Sequence, residues 1–288
     1  MIVDFLNLFV DYSKCIIPAF LFALLISAIL AETLPESFFE NILASKGILL
    51  VFISSIVGAL IPLCTCGMIP LASKLQKKGT SWLIVISFLT AGNASSLTAL
   101  FMTMVLGLKI TILRFFFAVI FGIITAYIFV LIFKPTSKLN EINIEEECHS
   151  LPVPQRIIKE FASLIFCFGP WVLVAISVGT LISMFIRPED VVKFAGSRKI
   201  LSPFLLALGG FPFYFCAGTD IPISKALLDK GASLGSILSF MTASPGVNIT
   251  SLIIYQRWLG LKSSVIYLGI SFLVCGILGV CFNIFLIS

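Results

Sequence analysis

Charged side chains are missing from six long stretches of this chain: 15–31, 48–73, 81–108, 161–186, 232–256 and 263–288. Two further apolar runs, 110–133 and 200–224, each hold one charge, Arg114 and Asp220. About 17–25 apolar residues suffice for a helix to cross the hydrocarbon of a bilayer. The pattern therefore predicts eight membrane segments in an all-α, polytopic membrane protein. Arg114, near one end of its run, is expected to snorkel to the interface.

The runs are related to one another. A shift of 152 residues aligns the two halves without a gap from about residue 15 to residue 100. Cys15 falls on Cys167, Pro18 on Pro170, Gly58 on Gly210, Cys64 on Cys216 and Pro70 on Pro222. "KGTS" (78–81) meets "KGAS" (230–233), and "SFLTA" (87–91) meets "SFMTA" (239–243). The apolar stretch 15–31 could pass for a signal peptide, but its counterpart lies in mid-chain, so it reads as a retained helix. The expected organisation is two tandem four-helix repeats, 1–140 and 156–288, joined by a polar, acidic linker at 141–155. Duplicated helical halves are the usual construction of secondary transporters. Lys and Arg divide almost evenly across the bilayer in the topologies compatible with this pattern, so charge leaves orientation and parallel versus inverted repeats open.

Two segments of each half carry helix breakers. The second is interrupted by "PLCTCGMIP" (62–70) and at the matching place by "FPFYFCAGTD" (211–220). The third is interrupted by "TAGN" (90–93) and "TASPGVN" (242–248). Proline removes a backbone donor and glycine adds freedom, so Pro62, Gly67, Pro70, Gly92, Pro212, Pro222, Pro245 and Gly246 are the expected break residues. Unwound backbone at membrane depth is tolerated only where it is buried in protein or lines a cavity. Four breaks thus imply one central site.

The chemistry at the breaks is sulfur-rich. Cys64 and Cys66 can turn two thiols toward one space, and Cys216 adds a third from the other half. Soft solutes prefer thiolates to oxygen ligands. Cysteine is also a common small core residue, the reading given to Cys15, Cys167, Cys275 and Cys281. Asp220, the one acid inside a span, is a proton-carrying candidate, although it also sits where it could cap the helix that follows. Thr65, Asn93 and Asn248 can contact solute or satisfy freed backbone.

Composition agrees: 59% hydrophobic and 11% charged residues with a mean hydropathy of +1.14, against about a quarter charged in soluble domains. The net charge of +5 is scattered over loops, which gives no nucleic-acid tract. The lone His149, beside Cys148, falls short of a four-ligand metal site, so no metal or cofactor is expected. No phosphate-binding loop or H-E-x-x-H element is present, which argues against an enzyme.

With Pro62, Cys64, Thr65, Cys66, Gly67, Pro70 and the basic turn Lys77-Lys78-Gly79 in view, nearly the whole chain resembles the ArsP-type permease family. That resemblance implies a cell-membrane, multi-pass permease whose characterised relatives export trivalent organoarsenicals such as methylarsenite. It implies thiolate handling by Cys64 and Cys66, with Cys216 as the third candidate. The expected function is secondary-active export of a soft, thiophilic small molecule by alternating access, with Asp220 coupling it to protons. Two alternatives stand beside it: a membrane thiol–disulfide electron carrier using Cys64 and Cys216, and a permease for another sulfur-bearing or anionic solute or a soft metal.

Overall fold

The computed structural model describes residues 47–61, 79–133, 200–211, 218–248 and 259–287 continuously, with scattered positions within 9–29, 68–76, 162–181, 195–196 and 251–256. No strand occurs among the described residues. The linker 141–155 and break residues Pro62, Gly67, Pro70 and Pro212 lie outside them.

Ahead of the linker are α1 (Ile48–Leu60), α2 (Trp82–Ala94), α3 (Leu97–Thr103) and α4 (Leu108–Phe133). Beyond it are α5 (Ser202–Gly210), α6 (Ile221–Asp229), α7 (Leu234–Gly246) and α8 (Leu261–Ile287). Among the described residues, three stretches are long and apolar enough to cross a membrane: Trp82–Leu106, Leu108–Phe133 and Leu261–Phe285. At 1.5 Å per residue a helix the length of α4 reaches about 39 Å, against about 30 Å of hydrocarbon. The helices bury hydroxyl groups beside an apolar core and expose apolar side chains. Ser54, Ser55, Ser87, Thr125, Ser236, Ser239 and Thr242 are fully buried, whereas Phe116, Leu131, Leu273, Ile277 and Phe285 are exposed. An exterior of that kind suits lipid and would be costly in water.

α1, α2 and α4 pack on one another, and so do α5, α7 and α8; α2 against α7 and α4 against α7 and α8 join the two sets. Small residues let the backbones approach, as is common between membrane helices. A Cβ on Gly58 would collide with the Phe88 carbonyl oxygen of α2. In the second set, a Cβ on Gly235 would meet the Gly279 carbonyl, and one on Gly279 would lie 2.7 Å from Pro203 Cβ. Gly58→Leu therefore has no room to relax. It is expected to lower the stability of the detergent-solubilised protein by about 1–3 kcal/mol or more, read from thermal unfolding.

Polar bonds knit the same seams. Ser55 donates to Val119 O at 2.9 Å and Ser87 to Val51 O at 3.2 Å. Ser239 and Cys275 exchange bonds, hydroxyl to carbonyl at 3.1 Å and thiol to carbonyl at 3.3 Å. Each such bond is worth about 0.6 kcal/mol between membrane helices.

Two described breaks fall where the sequence expects them, and one is displaced. α1 ends at Leu60 and Ile61 turns extended (φ −76°, ψ 133°), as a residue before proline prefers. In the third segment α2 runs straight through Gly92 and Asn93, and the break falls at Ser95 and Ser96, both extended. Gly92 serves packing instead: a Cβ there would strike the Met68 side chain and lie 2.9 Å from Gly58 O. Ser96 restarts the chain as the N-cap of α3, its hydroxyl accepting from Ala99 N at 3.3 Å. In the second set Pro245 lies inside α7 and Gly246 is its last residue, so the helix ends at Val247.

Candidate functional site

The two third-segment helices end side by side. A Cβ on Gly246 would lie 3.7 Å from Asn93 Cβ and 3.9 Å from Ala94 N, which puts the C-terminal end of α7 against that of α2. Asn93 donates to the Tyr255 hydroxyl, and Thr90 Oγ1 lies 2.9 Å from the Tyr267 hydroxyl. The Tyr255 and Tyr267 rings meet edge to face, with centroids 5.0 Å apart. This chain of polar groups ties α2 of the first set to α8 of the second.

Asn248 is occupied by backbone. Its amide donates to Ser244 O at 2.8 Å and Pro245 O at 3.1 Å, and its Oδ1 accepts from Ser251 N at 2.8 Å. One side chain thus closes α7 and caps the helical turn at Ser251 and Leu252. Several buried polar atoms nearby have no hydrogen-bond partner among the described residues: Asn93 Oδ1, Ser95 Oγ, Thr242 Oγ1 and Ser244 Oγ. Buried orphans of this kind mark a place that water or a polar solute can serve.

The second cluster overturns an expectation. Arg114 does not snorkel: it is 1% exposed, and its Nη2 lies 3.1 Å from Oδ2 of Asp220, equally buried. Its Nη1 donates to Thr103 Oγ1 at 2.9 Å and its Nη2 to Met241 O at 3.3 Å. The Met241 carbonyl is available because Pro245, four residues on, has no N–H to give it. Asp220 occupies the N-cap position of α6, yet its side chain makes no capping bond. The turn that presents it needs Gly218, whose φ of +85° favours glycine. A Cβ on Gly218 would also lie 2.7 Å from Met102 Cβ on α3.

Arg114 and Tyr267 occupy matching positions. α4 and α8 both begin Leu-Lys, and each residue is the seventh of its helix. Each then crosses to the third-segment helix of the other set, Arg114 to Met241 on α7 and Tyr267 to Thr90 on α2. Neither tyrosine stood out in the sequence. The available signal was the shared "LK" start, which puts Tyr267 level with the single charge of run 110–133.

Cys64, Thr65, Cys66 and Cys216 lie outside the described residues. What flanks them is buried: Ile61 and Met68 around the first break, Thr219 and Asp220 after the second. Among the described residues no group of three or more His, Cys, Asp or Glu could hold a metal ion.

The family described as "Predicted permease" (ArsP_1) matches residues 1–284. The chain belongs to that family. Among its relatives, UPF0718 protein MJ0584 of Methanocaldococcus jannaschii is 21% identical, over 76% of this chain and 77% of the relative. UPF0718 protein YcgR of Bacillus subtilis is 29% identical over 42% of each. No solved structure matches. Membership in a permease family accords with the apolar exterior and long helices, and points to a membrane protein that acts on small molecules.

Proposed function

We propose that this permease exports a soft, thiophilic solute, a trivalent organoarsenical being the leading case, across the cell membrane by alternating access. Cys64 and Cys66, with Cys216, bind the solute; Thr65, Asn93 and Asn248 shape the polar surround; Asp220 couples transport to protons. The reading treats the chain as two four-helix repeats, eight spans in all. It draws support from α2 and α7, whose bounds differ by 152 residues at both ends. Scattered described positions within 9–29 and 162–181 are also helical.

The observation that carries the reading is burial at the breaks. Ile61, Met68, Thr219 and Asp220 all face protein, and the ends of α2 and α7 abut beside four orphan polar atoms. Helices broken in this way at depth are how transporters build solute sites. The test is uptake of methylarsenite into everted membrane vesicles, with and without an imposed proton gradient. Gradient-dependent uptake above vesicles lacking the protein is expected. Equal uptake in both preparations would overturn the solute assignment.

A further inference from the structure

Arg114 has two places to put its charge. In the structure it is bolted to Asp220 across the two sets of helices. Its Cα is also only about 9 Å from the start of α4, by helix rise, and α4 is roughly 9 Å longer than the hydrocarbon is thick. An arginine at that depth can extend its stem to the interface. The same residue therefore has a partner inside and an interface within reach of its stem.

The bolt is built to be breakable. A structural ion pair in low dielectric needs saturated hydrogen bonding to offset desolvation. Between these two side chains there is one contact, Nη2 to Oδ2 at 3.1 Å, and Arg114 Nε and the neighbouring Thr219 and Ser224 hydroxyls lack a hydrogen-bond partner among the described residues. The matching contact in the other set, Thr90 to Tyr267, is neutral and short, and is backed by the Tyr255 ring. Two equivalent crossings thus differ in kind, one charged and one not.

We propose that Arg114 is the counter-ion that turns Asp220 into a switch. With Asp220 ionised, the pair clamps α4 against α6 and α7. When the carboxylate takes a proton from the aqueous side it becomes a neutral carboxyl. Arg114 is then left unpaired and swings to the interface, while the Tyr267 crossing stays shut and acts as the fulcrum. Other charged groups do not blur the assignment: α3 and α7 carry none, α4 adds only Lys109, and α6 adds Lys225 and Asp229 further along. This deepens the proton-coupling role given to Asp220 and rests on the permease reading, but its test needs no solute.

The test is dicarbonyl labelling of arginine with phenylglyoxal on the purified protein in lipid nanodiscs, read residue by residue by mass spectrometry. Arg156 and Arg198, which fall outside the apolar runs, serve as internal references. Asp220→Asn mimics the protonated acid, and Arg114 is expected to label roughly tenfold faster in it than in the wild type. Asp220→Glu, which keeps the charge, is expected to restore protection. Equal protection of Arg114 in wild type and a folded Asp220→Asn variant would overturn the switch. So would equal release in the Glu variant, since that would make the site one of packing alone. If Asp220→Asn fails to fold, Tyr267→Phe with native Asp220 decides: Arg114 protection unchanged supports independent crossings, and its loss overturns them. Failure of vesicle uptake with the labelling result intact would reject the solute and leave the switch standing.

Discussion

Replacing Arg114 with leucine alone is expected to cost this protein about 3–5 kcal/mol, whereas Arg114→Leu combined with Asp220→Leu recovers most of it. The single change removes the partner of a carboxylate that is 1% exposed and leaves the Thr103 hydroxyl and Met241 carbonyl without the guanidinium they now bond. An unpaired buried acid must either keep its charge in low dielectric or take up a proton on folding, and both cost stability. The double change leaves no charge at depth and gives α4 and α6 apolar side chains of similar bulk. Thermal unfolding in detergent checks the ranking. A double variant no more stable than the single would mean that the cost lies in packing around Arg114. The double variant should also separate folding from transport, since it folds without the pair that the cycle is proposed to use.

Cys64→Ser and Cys66→Ser are each expected to abolish methylarsenite resistance in a sensitive host while membrane expression persists. Serine keeps the size and polarity of the side chain but exchanges a soft sulfur for a hard oxygen, and trivalent arsenic follows the sulfur. Loss of one of two or three thiolates is expected to lower efflux in vesicles by about tenfold or more. Cys275→Ser is the contrasting control, because its thiol is engaged with Ser239 on the seam between α7 and α8. Full resistance in both the Cys64 and Cys66 variants would remove thiolate coordination from the account.

The long helices were legible because membrane spans announce themselves by the absence of charge. Runs 110–133 and 263–288 correspond to α4 and α8 with little displacement. The breaks were legible only to within a few residues. Gly92 and Asn93 look like helix breakers in isolation, yet Gly92 is wanted for the close approach of Met68, and Asn93 finds Tyr255, which is remote in sequence. The less conspicuous Ser95–Ser96 pair ends the helix, with the Ser96 hydroxyl taking a backbone donor at the start of α3. Arg114 was misread for a related reason. Its distance from the helix end permits snorkelling, and nothing local reveals that an acid more than a hundred residues away has taken it instead. Asp220 was found because a lone carboxylate in an apolar run has few innocent explanations.

The pairing of Arg114 with Asp220 has an electrical corollary. While closed, the two charges sum to zero, so the voltage across the bilayer exerts no net pull on them. Once they part, a full elementary charge stands alone in the field, where about 2.3 kcal/mol is at stake per 100 mV. Energised membranes should therefore speed or slow the steps in which a proton reaches Asp220 and in which the arginine leaves its partner or returns to it.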